Sequence, residues 1–313
     1  MVLGRDARGW WRRARHLIPD QLPKWDRVEG QLKAFGATLL DRRLKIAVTG
    51  LSRSGKTVLI TSLAHHLERG VGLPFLNAVA DRRYLGAVPA RRVPAGVTPF
   101  PYHAHHAALA GESPFWPAPS TDLSLLRLEL RFRPRGRMAR QLADQRTLTL
   151  DIVDYPGEWL IDLPLLEESY AGWAGVTLAR LAAEPYRTPM RPFFDALGDA
   201  DADALVRAYA DGLERCRRER LSLLQPGRAL TPTAAANTPE AALFAPVPPE
   251  HRLAGEFRAR FETYAERWVR PFKTHVVDAV DRQIVLVDLL ESLNRGPAHF
   301  DDTRAALALV LEG

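Results

Sequence analysis

The feature that most restricts how this chain can fold is the stretch Leu44–Gly70, LKIAVTGLSRSGKTVLITSLAHHLERG. Leu44, Ile46, Ala47 and Val48 form a nearly continuous apolar run, the pattern of a parallel strand buried on both faces. Leu59, Leu63 and Leu67 recur at helical spacing, and Gly70 is a natural helix stop. Between strand and helix, Gly50-Leu51-Ser52-Arg53-Ser54-Gly55-Lys56-Thr57 fits the phosphate-binding pattern GxxxxGK[ST] without a mismatch. Gly50 and Gly55 permit backbone angles that turn successive N–H groups toward phosphate oxygens, and the first helical turn adds its unpaired donors. Lys56 can reach the β- and γ-phosphates, and the Thr57 hydroxyl can ligate Mg²⁺. Strand, loop and helix together predict an α/β fold of the P-loop NTPase type with a mainly parallel sheet.

Such a loop works with an acidic group on a neighbouring strand. Asp154 ends the apolar run LTLDIVD and forms DxxG with Gly157, a pattern in which the carboxylate serves Mg²⁺ and the glycine N–H meets the γ-phosphate. Ahead of it, Leu126, Leu128, Leu130 and Phe132 alternate with charged residues, a half-exposed strand. That strand and the one ending at Asp154 read as an antiparallel hairpin at the sheet edge. A third metal ligand is expected just before the alternating strand: Thr121 in WPAPSTDLS, with Thr98 as the alternative. Asp288, ending IVLVD, is the other carboxylate a strand could offer; the hairpin before Asp154 favours Asp154. Two residues depart from small-GTPase patterns. Arg53 could curl over the phosphates as an internal arginine finger or point outward to solvent or a partner. Glu158, directly after DxxG, could orient or deprotonate water or form a salt bridge.

The remaining chain divides by composition. Residues 1–43 are a basic, Trp-rich segment expected to be helical, with Trp10 and Trp11 among Arg5, Arg8, Arg12, Arg13 and Arg15. It suits either an anionic membrane surface or packing through Leu32, Phe35 and Leu39. Residues 44–157 form the nucleotide-binding core. Within 71–120, rich in proline and glycine, His103, His105 and His106 read as a polar loop rather than a metal site. Residues 158–277 lose strand character and form a helical insertion, with a mobile linker expected from Gln225 to Pro249. Residues 278–313 return to the core through the strand Gln283–Asp288 and a helix from about Asp301. The single cysteine, Cys216, excludes an internal disulfide framework and suits a reducing compartment. No apolar run is long enough to cross a bilayer, and the N-terminus lacks a signal-peptide core. The net charge of +6 reads first as a solvated basic face, with anionic lipid as the sharper alternative and no specific nucleic acid expected.

Four blocks, VTGLSRSGKT, the WPxxT segment ahead of RLEL, IVDYPGEWLIDLPLL and RQIVLVDLLESLNRGP, resemble the YcjX-like family of bacterial P-loop NTPases. The resemblance runs from about residue 40 to the end of the chain. It implies a cytoplasmic protein with a Ras-like domain, GTP or GDP and Mg²⁺ as ligands, and an envelope-stress role by association. Members of the family continue into a base-reading [NT]KxD-type segment, and nothing between Asp301 and Gly313 matches it. A C-terminally truncated member is therefore expected, with phosphate and metal elements present and the choice between GTP and ATP left open. The reading is a Mg²⁺-dependent, slow GTPase. The alternatives are a nucleotide-state switch or scaffold at the inner membrane surface with little turnover, and an ATPase. The protein partner is not legible.

Overall fold

The computed structural model describes residues 43–312, apart from 52, 91–92, 94–96, 118–119, 121, 136–144 and 231–242. It is a mixed α/β protein whose described residues divide into two units. A sheet unit comprises 43–157 with Lys273–Leu289, and a helical unit comprises Glu158–Phe272 with 290–312.

In the sheet unit, β1 (Leu44–Gly50), β2 (Tyr84–Pro89), β3 (Ser124–Phe132), β4 (Arg146–Asp154) and β5 (Arg282–Leu286) lie in the order β2-β3-β4-β1-β5. β1 is parallel to both neighbours, as its unbroken apolar run requires, and Ala47 and Val48 are fully buried. Helix α1 (Lys56–Arg69) lays Ile60, Ala64 and Leu67 on a core with Val48, Leu128, Leu150 and Ile152. On the charged positions, Arg127 faces Asp151 across the β3–β4 pair and makes two hydrogen bonds to its carboxylate, at 2.7 and 2.8 Å.

Two expectations for this unit need correction. The sheet is evenly mixed, because β3 is antiparallel to both β4 and β2. The β3–β4 hairpin is also not at the edge, since β2 covers its outer side. β2 is invisible as a pattern because Gly86 and Pro89 interrupt its alternation. Pairing with β3 forms it, with a register shift between Tyr84 and Gly86, and a strand holding proline belongs at an edge. The three histidines lie on a helix, α2 (Tyr102–Ala110), rather than a loop, and His106 hydrogen-bonds His65 at 2.9 Å. Among the described residues no cluster of three metal-ligating side chains occurs.

A 3₁₀ segment, Gly157–Leu166, leads in the chain to α3 (Tyr170–Leu181), α4 (Arg187–Ala196), α5 (Ala202–Arg218) and α6 (Ala254–Tyr264) of the helical unit. Ser169 and Asp201 cap α3 and α5 by accepting from Gly172 N and Ala204 N. Its core is aromatic: Trp173, Phe244, Phe261 and Tyr264 pack with mostly edge-on or tilted rings, as do Trp159 and Trp268. The described ends of the Gln225–Pro249 stretch are not a loose linker. Gln225, Arg228, Leu230, Leu243, Phe244, Ala245 and Val247 are buried, and Tyr209 and Tyr170 donate to the carbonyls of Gln225 and Ala245. Proline and alanine there reflect tight backbone packing, which composition cannot separate from looseness.

After β5 come α7 (Leu289–Asn294) and α8 (Pro297–Glu312). A return to the core is expected over 278–313, whereas the described chain from Leu290 onward belongs to the helical unit. A buried carboxylate explains why: Asp302 accepts from Ser222 N at 2.6 Å, Leu223 N at 3.3 Å and the Tyr186 hydroxyl. Among the described residues no helix is long and apolar enough to cross a membrane. The segment carrying Trp10 and Trp11 lies outside the described residues.

Candidate functional site

Strand β1 ends at Gly50, and the chain turns through the loop into α1. Gly55 caps the helix with φ 90°, a left-handed angle that a side chain would strain. Arg53 adopts φ 64° and exposes its side chain, so a non-glycine residue is held in a sparsely populated conformation within the loop. Lys56 is buried and bends back over the loop, donating to the carbonyls of Gly50 at 2.9 Å and Leu51 at 3.0 Å. The Ser54 hydroxyl is buried without a hydrogen-bond partner among the described residues.

The end of β4 meets this loop. β4 pairs with β1 so that Asp154 lies opposite Val48, and Gly157 follows after the short Tyr155-Pro156 link. A Cβ on Gly157 would sit 1.8 Å from the Gly50 carbonyl oxygen, so only glycine permits this approach. The DxxG glycine and the first loop glycine are therefore in direct backbone contact.

Asp154 is 1% exposed. Its Oδ2 accepts from the Ser120 hydroxyl, and Ser120 Oγ lies 3.4 Å from Thr57 Oγ1. Asp154 Oδ1 is buried with no hydrogen-bond partner among the described residues. Burial pushes the Asp154 carboxyl up to about 6, against weaker opposing pulls from the Ser120 hydroxyl, the Lys56 ammonium and the Tyr155 backbone N–H. Two hydroxyls and a carboxylate with an unused oxygen form a hard, all-oxygen donor set, the chemistry that suits Mg²⁺ rather than a soft metal.

The structure thus brings together Gly50, Leu51, Ser54, Gly55, Lys56, Thr57, Asp154 and Gly157. Ser52 and Thr121 lie outside the described residues. Glu158 is half-buried and opens the 3₁₀ segment of the helical unit. Asp288 is exposed beyond β5, unlike the buried Asp154. Cys216 is buried, and that burial pushes its thiol up to about 12, which suits a packing role. Sequence reasoning missed Ser120: it stands beside Thr121 in an unbroken run of polar and small residues, where spacing cannot choose between adjacent hydroxyls.

Comparison with known proteins gives the family. The family model described as the YcjX-like family, DUF463, matches residues 44–313. A protein of Escherichia coli (strain K12) named Ras-like GTPase YcjX is 38% identical, over 91% of this chain and 66% of its own length. A protein of the same name from Shewanella oneidensis is 33% identical, over 87% of this chain and 63% of its own. The chain thus spans slightly less than two thirds of the length of either relative.

Proposed function

This chain belongs to the YcjX-like family, and we propose that it is a P-loop protein that binds a purine nucleoside triphosphate with Mg²⁺, GTP ahead of ATP, and hydrolyses it slowly. The observation that carries the proposal is Asp154: a buried carboxylate with an unpartnered oxygen, beside the Thr57 and Ser120 hydroxyls and next to a lysine-bearing glycine loop. A fold leaves a buried polar atom unmatched rarely, and a ligand is a common reason. GTP is preferred because the relatives are named Ras-like GTPases.

In this reading the N–H groups of the Gly50–Thr57 loop hold the phosphates, and Lys56 exchanges its bonds to the Gly50 and Leu51 carbonyls for bonds to β- and γ-oxygens. Thr57 and Asp154 hold the cation. Mg²⁺, when bound, neutralises charge on the phosphate oxygens. Gly157, fixed against the Gly50 carbonyl, presents its N–H to the γ-phosphate. Arg53 and Glu158 are the proposed rate-setting groups: the guanidinium neutralises transition-state charge, and the carboxylate orients water. Arg53→Ala is then expected to lower single-turnover hydrolysis about a hundredfold or more with little change in GDP affinity, since it acts on charge that develops only in the transition state.

The test of the whole reading is calorimetric titration of the chain with GTP, GDP and ATP, with and without Mg²⁺. Tight, Mg²⁺-dependent binding supports it, with GTP favoured over ATP. Equal affinity for GTP and ATP removes the guanine preference, and no binding removes the proposal. The envelope-stress role and the peripheral association with anionic membrane belong to this proposal only as contexts in which a nucleotide-dependent protein of this family would act.

A further inference from the structure

Asp154 and Thr57 come from different segments, and both touch one further side chain. The Ser120 hydroxyl has a single proton, and its donation to Asp154 Oδ2 uses it. At 3.4 Å, the contact with Thr57 must then run the other way, Thr57 donating its proton to the Ser120 oxygen. Both consequences favour a cation. As the hydrogen-bond donor to Ser120, Thr57 keeps the lone pairs of its oxygen to offer. Asp154 has one oxygen occupied by Ser120, so Oδ1, buried and unpartnered among the described residues, is the one left to offer. An ordinary surface serine would do neither.

We propose that Ser120 is a positioning residue for the divalent cation: it orders the chain Thr57→Ser120→Asp154 and so orients the hydroxyl and the carboxylate oxygen that hold Mg²⁺ beside the phosphates. This rests on the nucleotide-site reading above. Its effect runs through the two ligands, as outer groups around a metal set the direction and basicity of the inner ones.

The experiment uses the full chain with GTP and follows the Mg²⁺ concentration at which nucleotide affinity is half-enhanced, together with affinity in the absence of Mg²⁺. Ser120→Ala is expected to raise that Mg²⁺ midpoint about tenfold or more, the usual effect of losing an outer-shell partner, while Mg²⁺-free affinity stays within about twofold. Ser120→Thr, which keeps the hydroxyl, should restore the midpoint to within about threefold of the parent. Because part of the effect of Ser120 runs through Asp154, Ser120→Ala combined with Asp154→Asn should fall short of the sum of the two single effects. The proposal is overturned if Ser120→Ala keeps the parent's Mg²⁺ midpoint, if it weakens Mg²⁺-free binding equally, or if the double variant is additive. A parent chain that binds GTP with no Mg²⁺ dependence, or does not bind it, overturns the site reading itself. That result is read before any variant is made.

Discussion

Two buried aspartates close together in the chain show how differently one fold can treat a carboxylate. Asp154 ends β4 in the sheet unit, and Asp162 sits in the 3₁₀ segment of the helical unit. Burial raises both, Asp154 to about 6 and Asp162 to about 7. Asp162 is fully matched by the chain itself. The Gly227 N–H reaches both of its oxygens at 3.0 Å, the Tyr264 hydroxyl donates at 2.5 Å, and the Arg228 guanidinium adds favourable charge. Arg228 is in turn held 3.1 Å from the centre of the Trp268 ring. Asp154 holds the Ser120 hydroxyl on Oδ2 and is approached by the Tyr155 N–H, and its Oδ1 makes no well-formed hydrogen bond among the described residues. The difference teaches that burial and a raised pKa do not mark a site. An unmet hydrogen-bonding demand beside other unmet groups does.

The comparison breaks most visibly at Asp162. Asp162→Ala takes the acceptor away from the buried Gly227 N–H and from the Tyr264 O–H, and removes the favourable charge between the carboxylate and Arg228. We expect a loss of about 3–5 kcal/mol of stability in denaturant unfolding. A loss below about 1 kcal/mol would show that the helical unit does not depend on this carboxylate. Next in size is Lys56→Ala, which removes the main cation from the loop. Nucleotide affinity is expected to fall about a hundredfold, near 3 kcal/mol, with the unfolding midpoint nearly unchanged. Affinity within a factor of two of the parent would reject the loop as the binding site.

Asp154→Asn should behave as the mirror image of Asp162→Ala. The neutral amide removes a carboxylate whose ionised form is costly to bury, so stability without nucleotide should be unchanged or higher by about 1 kcal/mol. The Mg²⁺-dependent part of nucleotide binding should be lost while Mg²⁺-free binding persists. A large loss of stability would make Asp154 structural, and Asp288 would then be the carboxylate to test.

The sheet unit was far more legible in sequence than the helical one, and the reason is periodicity. The β1–loop–α1 stretch carries a long apolar run, fixed glycines and a helical repeat, each of which is local. The β3–β4 hairpin announces itself by alternation. β2 and Ser120 do not, because what makes them is a partner distant in sequence: β2 is held by β3, and Ser120 by Asp154. The same holds for the Asp162 clamp, where Gln225–Arg228 reads as part of a proline- and alanine-rich linker. Its one local signal is an aspartate inside the apolar run EWLIDLPLL, a residue that must find donors if that run is buried. The two glycines in contact, Gly50 and Gly157, were each legible as motif positions; that they meet follows only from the parallel pairing of β1 with β4.

The smallest expected effect is a pH dependence that separates the two aspartates by window. A carboxyl whose folded pKa is raised holds its proton in the folded state after the unfolded chain, near 3.8, has released it. Over that interval the folded state binds more protons, so stability falls as pH rises. For Asp154 the fall runs from about pH 4 to about 6, and for Asp162 from about 4 to about 7. Between pH 6 and 7 Asp162 therefore carries most of the change. His65 and His105, both lowered first by burial, contribute with the opposite sign near their ordinary value of 6.5. Their contribution cancels when parent and variant are compared at each pH. Asp162→Asn should thus remove a slope of about 1 kcal/mol between pH 6 and 7, because one proton is worth at most ~1.4 kcal/mol per pH unit. Asp154→Asn should change that interval by less than half as much and act mainly on the lower one. If both variants flatten the same window, the carboxylates titrate as neighbours in similar surroundings, and the contrast between a matched and an unmatched aspartate is lost.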